Sequence, residues 1–361
     1  MSNHVRSTAI YGGLLVALMG ASWFQWTSEP EVELDGQVVL LQGEEDGLEK
    51  IVWHAKDKDK AVIERRTDDY GSYFWVTYTK WTEDKPVTPM DPDVAAEDEP
   101  AEAGAGDEAV DVPEPEEPRT YTAEVQVFKA GDAGAELIES LSPMLAIRKL
   151  DAVDADKLET IGLTDPQDSL EITRKGRTTV LELGGEVYGT RDRYVREQGT
   201  GAIFLVDDEV LRPLKYARTR LPDRELWDFE QKDITQVSLA DAAGVSADFL
   251  QKNASDESKS YWVPLGAADD VEKDTQLDTW MDKALKMRGT RYADPENLPE
   301  GLEVAFTLSI ETSGREPLLL TVEKDGGEGD YWASTPYTRG RVKLLRTATE
   351  ALAGDVSTIL E

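Results

Sequence analysis

The sequence predicts an α+β protein in which an N-terminal transmembrane helix is followed by two similar β-hairpin-rich modules with amphipathic helices. Three observations lead to this prediction. An uncharged apolar run occupies residues 8–26, strand-like runs of β-branched and aromatic residues alternate with helical patterns, and one hairpin pattern occurs twice. We therefore divide the chain into a cytoplasmic stub and anchor at 1–28, a first module at 29–230 and a second module at 231–361.

The apolar run at 8–26 predicts a single membrane-spanning helix. As a helix it would measure about 28 Å, close to the thickness of a bilayer's hydrocarbon core. Arg6 precedes the run and Glu29 follows it, so the positive-inside rule places the amino terminus in the cytoplasm and the body outside. The expected location is the bacterial inner membrane, with a periplasmic body. The anchor residues are Tyr11, Leu14, Leu15, Val16, Leu18, Trp23 and Trp26.

A cleaved signal peptide is the alternative for this segment. Small residues occur at Gly20 and Ala21, but cleavage after either would place Leu18 or Met19 three positions back, where a small residue is preferred. The apolar run also continues through Phe24. We therefore favour a retained anchor.

The composition of the body indicates an acidic protein with enough apolar residues to fold. The chain has 361 residues, 40% of them hydrophobic, and 73 acidic against 39 basic residues give a formal net charge of −34. This charge repels phosphate backbones, so nucleic acid is not expected as a partner. The chain has no cysteine, which excludes disulfides and thiol nucleophiles.

An acidic tract interrupts the first module at 82–118. It is rich in proline and alanine and has no aromatic residue, so it cannot bury enough apolar surface to offset the entropy of ordering. The flanking segments at 73–81 and 120–128 are both strand-like. We predict a disordered insertion at the tip of a long hairpin.

The repeated pattern consists of a helix, a hairpin, a strand and a second helix. The segments at 170–183 and 308–322 align without a gap through their turn glycines, Gly176 and Gly314. Amphipathic helices are predicted before them, at 137–147, where Pro143 bends the helix or lies in its opening turn, and at 277–287. The pattern continues with strands beginning at Tyr194 and Tyr331 and helices at 208–220 and 342–353, and Trp75 and Trp262 match at the start of the modules. Divergent duplication explains the shared order.

Several segments resemble a known but uncharacterised family, the domain of unknown function 4340. The resemblance rests on YFWV from Tyr73, DADKLETIGLTDP from Asp154, the Gly184-Gly185 pair and YVREQGTGAIFLVDDEVLRPL from Tyr194. It covers approximately residues 49–229 and, more faintly, 234 to the end, where NLPEGLEV replaces a clear copy of IGLTDP. The resemblance implies a membrane-anchored envelope protein and suggests an ABC-2 type permease complex, of the kind related to gliding motility, as a partner. It implies no reaction.

The sequence offers little catalytic chemistry. Its two histidines are His4 and His54, and it lacks the Gly-x-Ser-x-Gly, Walker and His-Glu-x-x-His motifs. We therefore predict no enzymatic activity, no cofactor and no metal. The acidic run at 151–159 lacks the ligand spacing of an EF-hand and is interpreted as a solvated turn.

One basic cluster stands out in this acidic chain, and we consider it a candidate docking site. In one interpretation its positive charges stabilise the C-terminal end of a helix and pair with acids of the second module. In the other they dock an acidic partner or anionic lipid. The cluster residues are Arg212, Lys215, Arg218, Arg220 and Arg224, with Arg191, Arg193 and Arg196 slightly earlier. Four tryptophans are expected to pack in the core or between strands rather than to stack on sugars. They are Trp75, Trp227, Trp262 and Trp332.

The leading functional hypothesis is a non-enzymatic, membrane-anchored accessory or scaffold subunit of an envelope ABC-type export or motility-related complex. The alternative is a free-standing anchored envelope protein that binds a glycan or peptide between its modules. An apolar patch near the membrane would favour the first hypothesis, and a polar groove lined by exposed tryptophans would favour the second.

Overall fold

The computed structural model describes residues 36–56, 58–83, 121–151, 153–256, 258–268 and 271–361. The predicted anchor and all but the first residues of the acidic tract lie outside these ranges. Within them, none of the helices combines the length and apolar character needed to cross a membrane.

The first module is built on a nine-stranded antiparallel sheet. Its strands, with the separate pair β1 and β6, are β1 (Val38–Leu41), β2 (Leu48–Ala55), β3 (Asp59–Asp68), β4 (Gly71–Glu83), β5 (Tyr121–Lys129), β6 (Met144–Ala146), β7 (Arg148–Lys149), β8 (Asp168–Arg174), β9 (Arg177–Glu186), β10 (Arg193–Glu197) and β11 (Ile203–Val206). The sheet order is β5-β4-β3-β2-β8-β9-β10-β11-β7. The helices of this module are α1 (Asp132–Ser140), α2 (Ala155–Thr160), α3 (Asp208–Lys215) and α4 (Ala217–Arg220), and a 3-10 turn covers Glu45–Gly47.

The second module is built on an eight-stranded antiparallel sheet. Its strands are β12 (Ile234–Asp241), β13 (Ser246–Lys252), β14 (Tyr261–Pro264), β15 (Arg291–Tyr292), β16 (Glu303–Thr312), β17 (Leu318–Lys324), β18 (Tyr331–Ser334) and β19 (Val342–Lys343). The sheet order is β14-β13-β12-β16-β17-β18-β19-β15. The helices are α5 (Thr275–Leu285) and α6 (Arg346–Leu360), and a 3-10 turn covers Gln231–Asp233. Sheets and helices together make the fold α+β, as predicted.

The two sheets share one strand order once β5 is set aside. Strands β4, β3, β2, β8, β9, β10, β11 and β7 of the first sheet stand in the positions of β14, β13, β12, β16, β17, β18, β19 and β15 of the second. The predicted hairpins are present at both turn glycines. Lys175 and Gly176 both have positive φ, at 46° and 72°, as a two-residue hairpin turn requires, and Gly314 has a φ of 81°.

Each module has its own hydrophobic core, which follows from alternation along the strands. From Phe306 to the end of β16 every second side chain is buried, and Leu308 and Ile310 face Leu239 and Val237 of β12. Helix α5 covers this face with the apolar residues predicted for it, including Trp280, whose Nε1 donates a hydrogen bond to the Leu352 carbonyl of α6 at 3.0 Å. The first core forms in the same way between its sheet and helices α1 and α3.

Three predicted helix boundaries were wrong. The helix predicted at 137–147 ends at Ser140, because Pro143 has no amide hydrogen to continue it and Met144–Ala146 pairs with β1 instead. The helix predicted from residue 342 begins at Arg346, because Val342–Lys343 pairs with β15 and β18. The helix predicted at 208–220 is divided at Tyr216 into α3 and α4.

The strands on either side of the acidic tract form the predicted long hairpin. They pair continuously from Trp75 opposite Lys129 to Glu83 opposite Tyr121. The fold therefore gives the first sheet an extra edge strand, β5, that the second sheet lacks.

Candidate functional site: the junction and groove between the modules

A buried polar cluster joins the first module to the second. The Lys129 ammonium, at the end of β5, lies 2.7 Å from Asp223 Oδ2 and 3.2 Å above the centre of the Tyr337 ring. The Tyr337 hydroxyl donates to the same Asp223 oxygen at 2.8 Å, and the Glu225 amide donates to Asp223 Oδ1. Lys129 is 7% exposed and Asp223 5%, so this charge pair has little contact with water. Removing either partner would leave an uncompensated buried charge.

Burial and the neighbouring carboxylate set the protonation of this cluster. Loss of solvent lowers the pKa of Lys129, and the Asp223 carboxylate opposes this shift. Burial, together with the charge of Asp223, raises the pKa of Tyr337 well above its usual value. Tyr337 therefore remains a hydrogen-bond donor throughout the physiological pH range.

A second charged contact lies on the β3–β4 turn. Arg339 of the second module donates from Nε and Nη2 to the two carboxylate oxygens of Asp68, at 2.8 and 3.0 Å, and its guanidinium lies 4.9 Å from the centre of the Tyr73 ring. The hydrogen bonds from Arg339 lower the pKa of Asp68. A planar guanidinium that pairs bidentately and packs on an aromatic ring fixes orientation as well as distance.

An aromatic contact lies between these two charged contacts. Trp75 of β4 and Tyr292 of β15 meet edge to face at 6.0 Å, and Tyr292 packs against the cores of both modules. Gly340 fits beside this pair, since a Cβ at this position would lie 3.6 Å from both rings. The modules are thus joined by continuous packing as well as by charge.

A groove of about 760 Å³ opens beside the junction. Residues 124–128 of β5 form one wall, residues 290–294 form the other, and segments around residues 299–301 and 325–328 line the rest. Arg218 and Arg224 also line it. The groove therefore runs along β5 and β15, the edge strands of the two sheets, which also contact each other.

The glycines of this lining have counterparts in the first module. Gly301, with a φ of 64°, approaches Gly326, as Gly162, with a φ of 71°, approaches Gly185. The spacing is tighter in the first module, where a Cβ at Gly162 would lie 2.9 Å from the Gly185 nitrogen; the nearest atom at Gly301 is 3.7 Å away. The sequence analysis missed this correspondence, although a Gly-Leu pair before each hairpin and a Gly-Gly pair after it could have revealed it.

Residues 131–303 match the family model described as Domain of unknown function (DUF4340). This part of the chain belongs to the DUF4340 family. The match runs from the start of α1 to the first residue of β16, so it reaches from the first module into the second. No curated protein and no solved structure matches the chain.

The basic cluster of this DUF4340 chain is largely paired within its own module. Three of its members form ion pairs: Arg212 with Asp208 at 3.5 Å, Lys215 with Asp208 and Glu186 at 2.6 and 2.9 Å, and Arg218 with Glu124 at 2.8 Å. The sequence analysis considered acids of the second module as partners, but these carboxylates belong to the first module, where Asp208 lies on α3 itself, Glu186 at the end of β9 and Glu124 on β5. Burial alone would raise the pKa of Asp208, but Lys215 and Arg212 outweigh it and lower the pKa.

The remaining cluster residues have different surroundings. The Arg220 guanidinium lies 5.9 Å from the centre of the Tyr216 ring, whereas Arg224 lines the groove and its carbonyl accepts from the Gly289 amide at 2.8 Å. Arg193 and Arg196 pair with Asp168 and Glu182 inside the first sheet. The structure therefore does not bring the basic residues into one site.

Among the other residues considered in the sequence, Trp332 lines the groove, and the rest of those named below lie away from it or outside the described ranges. His54 meets Trp81 edge to face at 6.3 Å on the first sheet. Trp262 and Trp332 are buried, Trp227 stacks on Phe229, and all the anchor residues from Tyr11 to Trp26 fall outside the described part of the chain.

Proposed function

We propose that this DUF4340 protein is a non-enzymatic, membrane-anchored extracytoplasmic scaffold or accessory subunit of an envelope ABC-type export or motility-related complex. In this proposal the uncharged run at 8–26 is the anchor, and the body stands outside the cytoplasmic membrane. The supporting observation is the groove, which offers a binding surface between two modules held in a defined arrangement.

The charged groups around the groove support binding rather than chemistry. Glu124 pairs with Arg218, Asp330 with Lys343, and Asp325 accepts from the Gly329 amide. Groups engaged in this way hold loops and strands in place, whereas general acids and bases need a free position for a reacting atom. The lining therefore favours a role in recognition.

Co-purification tests this proposal directly. The full chain, extracted gently from membranes, should retain a membrane partner, whereas a released body comprising residues 29–361 should lose both the partner and cellular activity. Anchoring raises the local concentration of the body beside its partner, and this advantage disappears in a soluble form. A released body that fully restores activity without a membrane partner would rule the proposal out.

Charge reversal then tests the basic cluster. The triple variant Arg218→Glu, Arg220→Glu, Arg224→Glu should reduce recovery of the partner, because it breaks the Arg218–Glu124 ion pair and so disturbs β5 at the wall of the groove. The matched control reverses three exposed basic residues of the second module, Lys286, Arg288 and Arg315. Equal loss of partner in both triples would show that general charge, and not this surface, governs the interaction.

A second candidate function is supported by the position of the groove between the modules. A free-standing anchored protein could bind a ligand there without a permease complex. Trp332 is the tryptophan among the described lining residues, and it is buried, so the lining favours a peptide over a glycan that would stack on exposed rings.

A further inference from the structure

The wall of the groove formed by β5 is the free edge of a sheet. Strand β5 is the last strand in the order of the first sheet and pairs with β4 on one side. The Ala130 amide donates to Phe74 of β4, whereas the Lys129 carbonyl turns the other way and accepts from the Asp223 amide at 2.8 Å. Because backbone groups alternate along a strand, the amide and carbonyl of Val127 and Val125 point away from β4, toward the groove.

This edge lacks the features that usually protect an edge strand. Its pairing with β4 runs from Lys129 to Tyr121 without a shift in register, and the two outward-turned positions in the groove are valines. Bulges, prolines and charged side chains at such positions normally prevent strand addition. The segment at 221–223 covers the edge at Lys129. It does not reach Val125, which is 52% exposed.

The space beside the edge suits an extended chain. Strand β15 approaches β5 at its Lys129 end, where Tyr292 meets Trp75 opposite Lys129. A neighbouring strand lies about 4.8 Å from the edge to which it binds, and the groove of about 760 Å³ provides volume toward the Val125 end of β5. Val125 and Leu298, which is 46% exposed, offer apolar surface at the groove and beside it. Backbone hydrogen bonds give such complexes their affinity, and the alternating side chains give specificity.

The charge of the lining indicates which peptides would bind. Once the Glu124–Arg218 and Asp330–Lys343 pairs are set aside, the lining keeps the carboxylates of Asp294, Glu300, Asp325 and Glu328 against the guanidinium groups of Arg224 and Arg291. The chain as a whole carries a formal charge of −34. Charge complementarity therefore favours a basic segment.

We infer that the groove binds an extended, basic peptide segment of a partner protein, which adds to the free edge of β5 as a further strand. The inference rests on the proposed binding function and specifies the chemistry of the ligand. The segment contributes backbone hydrogen bonds to Val125 and Val127, and its lysine or arginine side chains meet the acidic lining.

Peptide binding to the detergent-solubilised full chain tests the inference. The probe is a fluorescein-labelled octapeptide of alternating threonine and lysine, compared with the same peptide carrying glutamate in place of lysine, by fluorescence anisotropy. The lysine peptide should bind at least about tenfold more tightly than the glutamate peptide. Absence of binding by the lysine peptide, or equal binding of the two, would overturn the inference.

A proline substitution separates strand addition from general attraction. Val125→Pro removes an outward amide and places a ring on the edge while keeping the hydrogen bonds to β4, so the lysine peptide should bind at least about tenfold more weakly. The matched variant Val125→Ala keeps the amide and should bind within about threefold of the parent chain. Unchanged binding to Val125→Pro would overturn the inference.

Cross-linking provides a test that does not depend on how well the proline variant folds. Because the chain has no cysteine, Val125→Cys introduces a unique thiol. A lysine peptide whose cysteine is activated as a mixed disulfide with 2-thiopyridine should exchange with this thiol, forming the protein–peptide disulfide and releasing 2-thiopyridone. Leu319→Cys, at an exposed site on β17, is the control. Its thiol should react with the peptide no faster than free cysteine does in solution. Equal reaction at both sites would overturn the inference.

Two further outcomes identify which idea has failed. If Val125→Pro converts a dimer of the full chain to a monomer and leaves peptide binding unchanged, the edge pairs with a second copy, and the peptide inference is wrong. If peptide binding behaves as expected but no membrane partner co-purifies, the accessory-subunit proposal is wrong and the peptide site remains.

Discussion

The two modules share a strand order, but the contacts that join them come largely from parts that they do not share. Strand β5 has no counterpart in the second sheet and supplies Lys129, while the loop between β18 and β19 supplies Tyr337 and Arg339. The shared strands are occupied with two separate cores. The comparison indicates that the repeated framework provides stability and that its unmatched segments create the junction and the groove.

The modules also differ in how tightly their glycine loops pack. In the first module a Cβ at Gly162 would lie 2.9 Å from the Gly185 nitrogen, but at its counterpart Gly301 in the second the nearest atom, the Gly326 Cα, is 3.7 Å away. The looser packing lies in the lining of the groove. Surfaces that bind ligands are commonly drawn from the less tightly packed parts of a protein.

The largest effect is expected at the buried pair in the junction. Lys129→Met should lower the free energy of unfolding by about 3–5 kcal/mol, because it leaves Asp223 buried without its counter-charge. Urea unfolding measures the change. The matched control Lys157→Met breaks an exposed pair with Asp154 and should alter stability little.

A double variant shows whether that loss comes from the unpaired charge. Adding Asp223→Asn to Lys129→Met should recover part of the lost stability, since the remaining partner is then neutral and still accepts from Tyr337. A Lys129→Met protein that unfolds at the same urea concentration as the parent chain would show that the junction contributes nothing to stability.

An intermediate effect should separate the two glycine loops. Gly184→Ala should cost about 1–3 kcal/mol, because the added methyl group meets the Ile161 carbonyl and the Leu163 side chain at distances that force a shift. Gly326→Ala should cost less, since its nearest contact is longer. Thermal unfolding of both variants gives the comparison, and equal losses would contradict a difference in packing.

The smallest effect is expected at the Arg339–Asp68 contact, which is partly open to water. Asp68→Asn should lower the free energy of unfolding by about 1 kcal/mol at neutral pH. The expected loss is small because water screens this partly exposed contact. Because folding lowers the pKa of Asp68, the contact is fully present above the unfolded-state pKa of about 3.9 and is lost as the pH falls through the lower folded-state value.

The pH dependence supplies the measurement for that contact. The difference in melting temperature between the parent chain and Asp68→Asn should shrink as the pH is lowered from 7 toward 2. Asp69→Asn, which changes an exposed neighbour in the same turn, is the control. A difference that stays constant across this range would mean that the charge of Asp68 is not the cause.

The sequence predicted the repeated elements better than their ends. Gly176 and Gly314 marked real turns, and the apolar spacing from Leu277 to Leu285 marked a real helix, because these signals act over a few residues. The ends were harder to predict. Whether Met144 and Val342 continue a helix or join a strand depends on β1 and β15, which lie far away in the chain.

The residues themselves determined the α+β class, the two hairpins, the paired strands around the acidic tract and the strong negative charge. Strand alternation, turn conformation and net charge follow from local sequence and composition. Only the tertiary structure decided where the modules meet and which edge remains free. Lys129, Asp223 and Tyr337 are brought together across separations of 94 and 114 residues, and no local pattern distinguishes them from other lysines, aspartates and tyrosines. Their pairing depends on burial, which arises only when both sheets have formed and packed.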